Sequence, residues 1–270
     1  MSKRKRSLPR GWYPFDGKDC RKEMESYLEG WSPPSLSIEG FGGIVPHAGW
    51  YFSGKLATRV FYCLQLKRKA EVVVLYGGHL GTGDLPRIIT EEACETPLGD
   101  IHCHTDFIKK LTKKVELKTE SPSSGDNTIE IQLAMVKYFF PEAKLLALRS
   151  PTSLKADQLG KEIAEVAKEE GYSIVAIGST DLTHYGPNYG FIKKGIGPSA
   201  VEWVKKENDK GFIDRVLKMD TAGLLKHAQE NDSACSAGAA ASAVATCKAL
   251  GAQKGMLIDY YTSYEIMPDD

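Results

Sequence analysis

The segment that decides the fold is Glu71-Val72-Val73-Val74-Leu75-Tyr76-Gly77-Gly78-His79. Its apolar residues run from Val72 to Tyr76 without polar alternation, which is typical of a strand buried on both faces. Such a strand belongs to a parallel sheet that has helices on both sides. His79 then lies at the carboxyl end of the strand, where ligands bind in open α/β sheets.

The rest of the chain repeats this alternation of strand and helix. A short apolar run ends at Val45, and segments 87–90 and 100–104 indicate a peripheral hairpin or antiparallel addition. Other β-type runs cover residues 144–148, 172–177 and 256–261. Helical periodicity covers residues 20–28, 55–66, 129–140, 154–170, 199–217, 222–230 and 234–250. The pattern predicts an α/β fold, a single αβα domain over residues 1–270 with a largely parallel or mixed central sheet.

Composition excludes several classes of protein. The chain has 270 residues, and 35 Lys and Arg balance 35 Asp and Glu, so we expect no nucleic-acid-binding and no membrane-binding surface. No apolar run approaches the length of a membrane span. Six cysteines without a CxxC pair suit a reducing compartment and predict a cytoplasmic protein. The basic start predicts a flexible tail over residues 1–10.

Three predicted strands run into a histidine. His47 follows Val45-Pro46, His79 follows the segment quoted above, and His184 closes Ser179-Thr180-Asp181-Leu182-Thr183-His184. A single histidine at a strand end is more often structural than functional. Three at equivalent positions would gather at one edge of a parallel sheet, and this convergence predicts a site there.

Cys235 is a fourth candidate. It follows the potential capping residues Asn231-Asp232-Ser233, which places it in the first turn of the helix predicted over 234–250, where the helix dipole favours a thiolate. The alternative is a small buried residue in an Ala-rich helix. With His47 and His79 it would make a three-ligand metal site with an open position. Sulfur disfavours magnesium and calcium and favours iron, copper or zinc.

Asp181 could orient the ring of His184, which would then act as acid or base. The alternative is a turn in which Asp181 caps backbone amides. Trp50 and Tyr51 are predicted to wall the pocket and to favour an aromatic or electron-rich substrate. Asn127 and Glu130 have two interpretations: they form a capping box at the start of a helix, or they bind substrate.

Several motifs together resemble one known family, the Memo-like proteins, known in bacteria and archaea as protein B of the AmmeMemoRadiSam system. These are Gly11-Trp12-Tyr13-Pro14, residues 45–54, Gly77-Gly78-His79, Thr96-Pro97-Leu98-Gly99, Ile129-Glu130-Ile131-Gln132-Leu133, residues 179–184 and Ala234-Cys235.

The resemblance implies a fold similar to the class III extradiol dioxygenases. It also implies a pocket lined by His47, His79 and Cys235, with pocket roles for Asp181 and His184. By the same resemblance, AMMECR1-like and radical-SAM proteins are expected partners. Asn127 stands where the family usually has histidine, and asparagine cannot titrate.

Three functions stay open at this point. The first is a metal-dependent oxidoreductase of dioxygenase-like type, with iron or copper, that acts on a small molecule. The second is a non-catalytic binding or adaptor protein that takes a peptide or other ligand in the same pocket. The third is a cysteine hydrolase that uses Cys235, His184 and Asp181.

Overall fold

The computed structural model describes residues 2–35 and 40–268. Within these ranges the strands are, in chain order, β1 (Lys3–Arg4), β2 (Gly42–Val45), β3 (Val72–Leu80), β4 (Arg87–Ile88), β5 (Ala93–Cys94), β6 (Ile101–His102), β7 (Lys118–Thr119), β8 (Lys144–Pro151) and β9 (Ile174–Ser179).

The helices of the same ranges complete the fold. They are α1 (Gly17–Leu28), α2 (Trp50–Lys67), α3 (Thr105–Lys114), α4 (Asn127–Phe139), α5 (Leu154–Glu170), α6 (Pro198–Trp203), α7 (Lys210–Leu217), α8 (Thr221–Asn231), α9 (Ala237–Ala249) and α10 (Ser263–Ile266), with a 3₁₀ turn at Pro187–Tyr189 and a π-helical turn at Val204–Asp209. None of them combines the length and the apolar character needed to cross a membrane.

The main sheet has the strand order β2-β9-β3-β8-β4-β7. β2, β9, β3 and β8 are parallel neighbours. β4 runs antiparallel to β8 and parallel to β7. The largely parallel or mixed sheet expected from the sequence is therefore confirmed.

Helices cover both faces of this sheet. A Cβ on Gly77 would meet Thr128 of α4, whereas a Cβ on Gly78 would meet Ser236, which directly precedes α9. Because consecutive strand residues point to opposite faces, α4 and α9 lie on opposite sides. α2 packs beside α4, and α5 packs on α9. The αβα layering is confirmed as well.

The core forms where the apolar run predicted it. Every residue from Val72 to Tyr76 is 0% exposed. Burial of a side chain of this size contributes roughly 1.5–3 kcal/mol. A run that is apolar without alternation is thus explained by burial on both faces of β3.

The expectation of a flexible tail over residues 1–10 was wrong. β1 pairs in parallel with β5, and β5 pairs with β6 in a small second sheet. The guanidinium of Arg4 lies 3.2 Å from the carboxylate of Glu91. Lys3 and Arg4 are held by Asp100 and Glu91, which lie 97 and 87 positions away, and local composition does not reveal such contacts.

The strand expected over 256–261 also did not form, since these residues pair with no strand among the described residues. Side chains hold the segment instead. Asp259 forms an ion pair with Arg59, and the hydroxyl of Tyr260 donates to Asp209 at 2.7 Å. The Tyr261 hydroxyl donates to the carbonyl of Phe52 at 3.1 Å.

The helix expected over 199–217 is divided by the π-helical turn. Two consecutive polar residues of this turn, Asn208 and Asp209, are both buried. The amide of Asn208 donates to the hydroxyl of Thr183 at 2.9 Å, and Asp209 accepts from the backbone N–H of Thr183 at 3.0 Å. The wider turn allows both side chains to reach one residue of the loop after β9.

Candidate metal centre

The carboxyl ends of three neighbouring strands form the floor of the site. His47 follows β2 by two residues, Asp181 follows β9 by two residues, and His79 is near the end of β3. The backbone N–H of Thr180 donates to the carbonyl of Val45 at 2.9 Å and joins the first two segments. The rings of His47 and His79 lie 5.1 Å apart and nearly perpendicular.

His47 is 1% exposed and is held from several sides. Its backbone N–H donates to Asp181 Oδ1 at 2.6 Å, and its carbonyl accepts from Asn127 Nδ2 at 3.0 Å. In its ring, Nδ1 lies 3.4 Å from Ser179 Oγ and Nε2 lies 3.1 Å from Cys235 Sγ. Burial opposes protonation, but Cys235 and Asp181 raise the pKa of His47 above its ordinary value.

His79 has a backbone conformation that is rare outside glycine, with φ of +59°. Its Nδ1 lies 3.1 Å from Asp126 Oδ2. Hydrogen bonds to Asp126 and then to Cys235 raise the pKa of His79 to about 9.

Cys235 completes a set of three donors. The ligand atoms of His47, His79 and Cys235 all lie within 4.8 Å of one another. Burial would raise the thiol pKa, but hydrogen bonds to His47 and His79 outweigh it and lower the pKa of Cys235 to about 5. The sulfur is therefore a thiolate at neutral pH.

The position of Cys235 differs from the expected first helical turn. α8 extends to Asn231, and α9 begins at Ala237 with Ser236 as its N-cap, so Cys235 lies in the connecting turn. This turn is fixed to the loop after β9, since Cys235 N–H donates to Asp181 O at 3.2 Å and Ser236 N–H donates to Thr180 Oγ1 at 3.1 Å.

Asp181 and His184 lie beside this set. Asp181 Oδ2 is 3.6 Å from His184 Nε2 and 3.8 Å from His47 Nε2. Burial would raise the pKa of Asp181, but the neighbouring histidines lower it, and the bond to Asp181 raises the pKa of His184. Both side chains also come within 4.8 Å of the Cys235 sulfur.

The donor chemistry fits a transition metal. Two imidazoles and one thiolate suit iron, copper or zinc and disfavour magnesium and calcium. Because a carboxylate can only accept, Asp126 requires hydrogen on Nδ1 of His79 and leaves Nε2 as the nitrogen that can coordinate.

The two aromatic residues expected at the pocket wall lie elsewhere. Trp50 is 1% exposed, and its indole N–H donates to the carbonyl of Ile131 at 3.1 Å. Tyr51 is 65% exposed and packs edge-on against Phe52. Phe52 contributes to a cavity of about 1260 Å³, which Asp181 and His184 also line.

Asn127 and Glu130 do not form a capping box, since Asp126 is the N-cap of α4. Asn127 supports the backbone of His47, as described above. Glu130 binds the amino-terminal segment. It accepts from Ser7 N–H at 2.8 Å, from Leu8 N–H at 3.0 Å and from the hydroxyl of Tyr13 at 2.8 Å. These bonds join α4 to the amino-terminal segment, and the substrate-binding role expected for Glu130 stays a prediction.

We expect Glu130→Ala to lower the free energy of unfolding by about 1–3 kcal/mol, because the amino-terminal donors lose a shared charged acceptor. Urea denaturation measures this change. Metal affinity should stay within about threefold of wild type, since the carboxylate bonds the terminal segment and not the histidines. Unchanged stability together with weakened ligand binding would instead support a substrate-binding role for Glu130.

Sequence reasoning did not identify Asp126 and Arg149, two residues that contact the candidate ligand His79. Asp126 precedes the pair that was singled out and carried a signal as a potential N-cap before an apolar helix. Arg149 lies inside the apolar strand β8, where one buried cation is unusual.

Known proteins resemble this chain over nearly its whole length. The model of the family described as Memo-like protein matches residues 4–270. The chain belongs to the Memo-like family. A MEMO1 family protein of Methanopyrus kandleri is 29% identical, with 96% of this chain and 91% of that protein covered. One from Nitrosopumilus maritimus is 30% identical, with 96% and 92% covered.

The solved structures include a more distant neighbour. A crystal structure of an uncharacterized protein from Escherichia coli K12 is 11% identical, with a TM-score of 0.42, and the match covers 70% of this chain and 80% of that one. The Memo-like family membership predicted from the sequence motifs is confirmed by the family match and by the MEMO1 family relatives.

Proposed function

We propose that this Memo-like protein is a metal-dependent oxidoreductase that acts on a small molecule, with iron or copper held by His47, His79 and Cys235. The observation that carries the proposal is the convergence of these three ligand atoms within 4.8 Å, with the sulfur as thiolate. Three protein ligands are what a catalytic site uses when it keeps a position open.

The bound ion would supply Lewis acidity and redox chemistry. The chain's own residues supply proton transfer and orientation. His184 lies partly exposed beside the cavity, and the bond to Asp181 raises its pKa, so the ring holds its proton more firmly than an ordinary histidine does. Asp181 stays ionised and holds His184 for donation to a bound substrate.

The cavity supports an aromatic or electron-rich substrate. Its lining includes Phe52, Tyr260 and Tyr261, and aromatic side chains favour stacked or edge contacts with such molecules. Asp181 and His184 are the titratable groups that join this lining to the donor set. A substrate seated there would place a polar group near His184.

One observation favours a second candidate, a binding protein for a peptide. The cavity of about 1260 Å³ is larger than the roughly 300–1,000 Å³ typical of small-molecule sites. An extended peptide segment would fill such a volume. Specific binding from a peptide array, without metal and without turnover, would support this candidate.

Metal analysis after anaerobic purification tests the main proposal. We expect about one equivalent of iron or copper on the isolated or reconstituted protein and dioxygen consumption with ascorbate as reductant. His47→Ala combined with His79→Ala serves as the control and should lose both. Less than about a tenth of an equivalent, with no binding after metal addition, would contradict the proposal. Activity without metal that alkylation of Cys235 abolishes would favour the hydrolase instead.

A further inference from the structure

We propose that Arg149 and Asp126 are positioning residues that clamp His79 in its ligand conformation. The inference rests on the proposed metal site and extends it to residues that contact neither the ion nor a substrate. Three side chains from outside β3, those of Thr128, Arg149 and Asp126, make four contacts with the Gly78-His79 dipeptide.

The first part of the clamp holds the backbone. Gly78 N–H donates to Thr128 Oγ1 at 3.0 Å, and the Gly78 carbonyl accepts from Arg149 Nε at 2.8 Å. Arg149 Nη2 lies 3.5 Å from the His79 carbonyl. These bonds fix both peptide groups around a residue whose φ of +59° is unfavourable for a side chain with a Cβ.

The turn that carries Cys235 approaches β3 closely at the residue before His79. A Cβ on Gly78 would collide with Ser236, so the backbone of β3 passes directly under the residue next to the thiolate. Pairing with β8 becomes irregular between Gly77 and Leu80. This departure from regular strand geometry includes His79, whose ring faces that of His47.

The second part of the clamp holds the ring. Asp126 Oδ2 lies 3.1 Å from His79 Nδ1 and 3.2 Å from Arg149 Nη2. The same carboxylate caps α4 through Thr128 N–H at 3.1 Å, so it has little freedom to move. The carboxylate keeps hydrogen on Nδ1 and directs Nε2 towards the donor set.

Arg149 itself is fixed by a second carboxylate on its far side. Glu120 Oε2 lies 3.1 Å from Nη1, and the two side chains are 2% and 10% exposed. Glu120 in turn lies 4.0 Å from Arg87. The planar guanidinium can bind two carboxylates and two carbonyls at once, which an ammonium group cannot do with the same geometry.

Two variants test the clamp. Asp126→Ser keeps an N-cap residue for α4 but is too short to reach His79, and Arg149→Lys keeps the charge but loses the forked contacts. We expect each to weaken zinc and cobalt(II) binding about 10–100-fold in chelator competition. Asp157→Ser is the matched control, because it removes a carboxylate that binds Lys161 and Thr221, outside the clamp, and it should change affinity less than about threefold.

A spectroscopic readout on the metal-free protein separates positioning from general stability. Wild type should show a hydrogen-bonded, slowly exchanging Nδ1–H of His79 in ¹H–¹⁵N spectra, and Asp126→Ser should lose it while the thermal midpoint stays near that of Asp157→Ser. If Asp126→Ser bound zinc and cobalt(II) as tightly as wild type, the clamp would be overturned and the proposed function would stand. Absence of metal binding in wild type would overturn the proposed function, and the Nδ1–H signal would then decide the clamp by itself.

Discussion

Cys235→Ser should reduce bound iron or copper from about one equivalent to less than about a tenth. Cys235 is the donor that His47 and His79 both contact, and its pKa of about 5 supplies a thiolate at neutral pH. A serine hydroxyl of nearly the same size stays protonated there and is a poor ligand for soft metals. Elemental analysis of the gel-filtered protein measures the loss.

The control for this experiment is Cys63→Ala. Cys63 is a free, buried cysteine in α2, so its loss removes a sulfur from the protein without touching the donor set. This variant should retain the full metal content. Retention of metal by Cys235→Ser, with a folded circular dichroism spectrum, would remove Cys235 from the ligand set.

The second large effect concerns the pH dependence of Cys235 alkylation in the metal-free protein. With its pKa lowered to about 5, Cys235 should react with iodoacetamide at half its maximal rate near pH 5. Above that pH the thiolate dominates and the rate is constant, and below it the rate falls about tenfold per pH unit. At pH 7 an ordinary thiol with a pKa of about 8.5 is only a few per cent thiolate.

Peptide mass spectrometry resolves the sites and supplies an internal control. Burial raises the pKa of Cys20 to about 12, so it should stay unmodified in the folded protein across the same range. His47→Ala should move the Cys235 midpoint upwards, because it removes the largest stabilising hydrogen bond of the thiolate. A wild-type midpoint near 8.5 would contradict the proposed thiolate.

The local sequence pattern was sufficient to predict the strands at whose ends the candidate site lies. The run from Val72 to Tyr76 has no polar residue, and burial on both faces is the arrangement that satisfies it. Once β2, β9 and β3 are parallel neighbours, the residues that follow them must share an edge. His47, His79 and Asp181 were therefore found from the sequence, and their roles stay predictions.

Local sequence pattern predicted the wrong structure where a contact joins residues that are far apart in the chain. Trp50 was expected at the pocket, yet it is buried in the core, where its indole N–H donates a hydrogen bond to the carbonyl of Ile131. Glu130 binds Ser7 across 123 positions, so neither the order of the amino-terminal segment nor the use of this carboxylate was visible locally. Residues 256–261 have strand-like composition, but side-chain bonds to Arg59, Asp209 and Phe52 hold them without strand pairing among the described residues.

The sequence by itself determined the αβα architecture, the family and the three strand ends at which His47, His79 and Asp181 lie. Those features follow from hydrophobic period and local motifs, which act over a few residues. Only the tertiary structure decided how the ligands are held. The contacts of Arg149 with Gly78 and of Asp126 with His79 join separate elements, and side-chain hydrogen bonds of this range have no periodic signal in the chain.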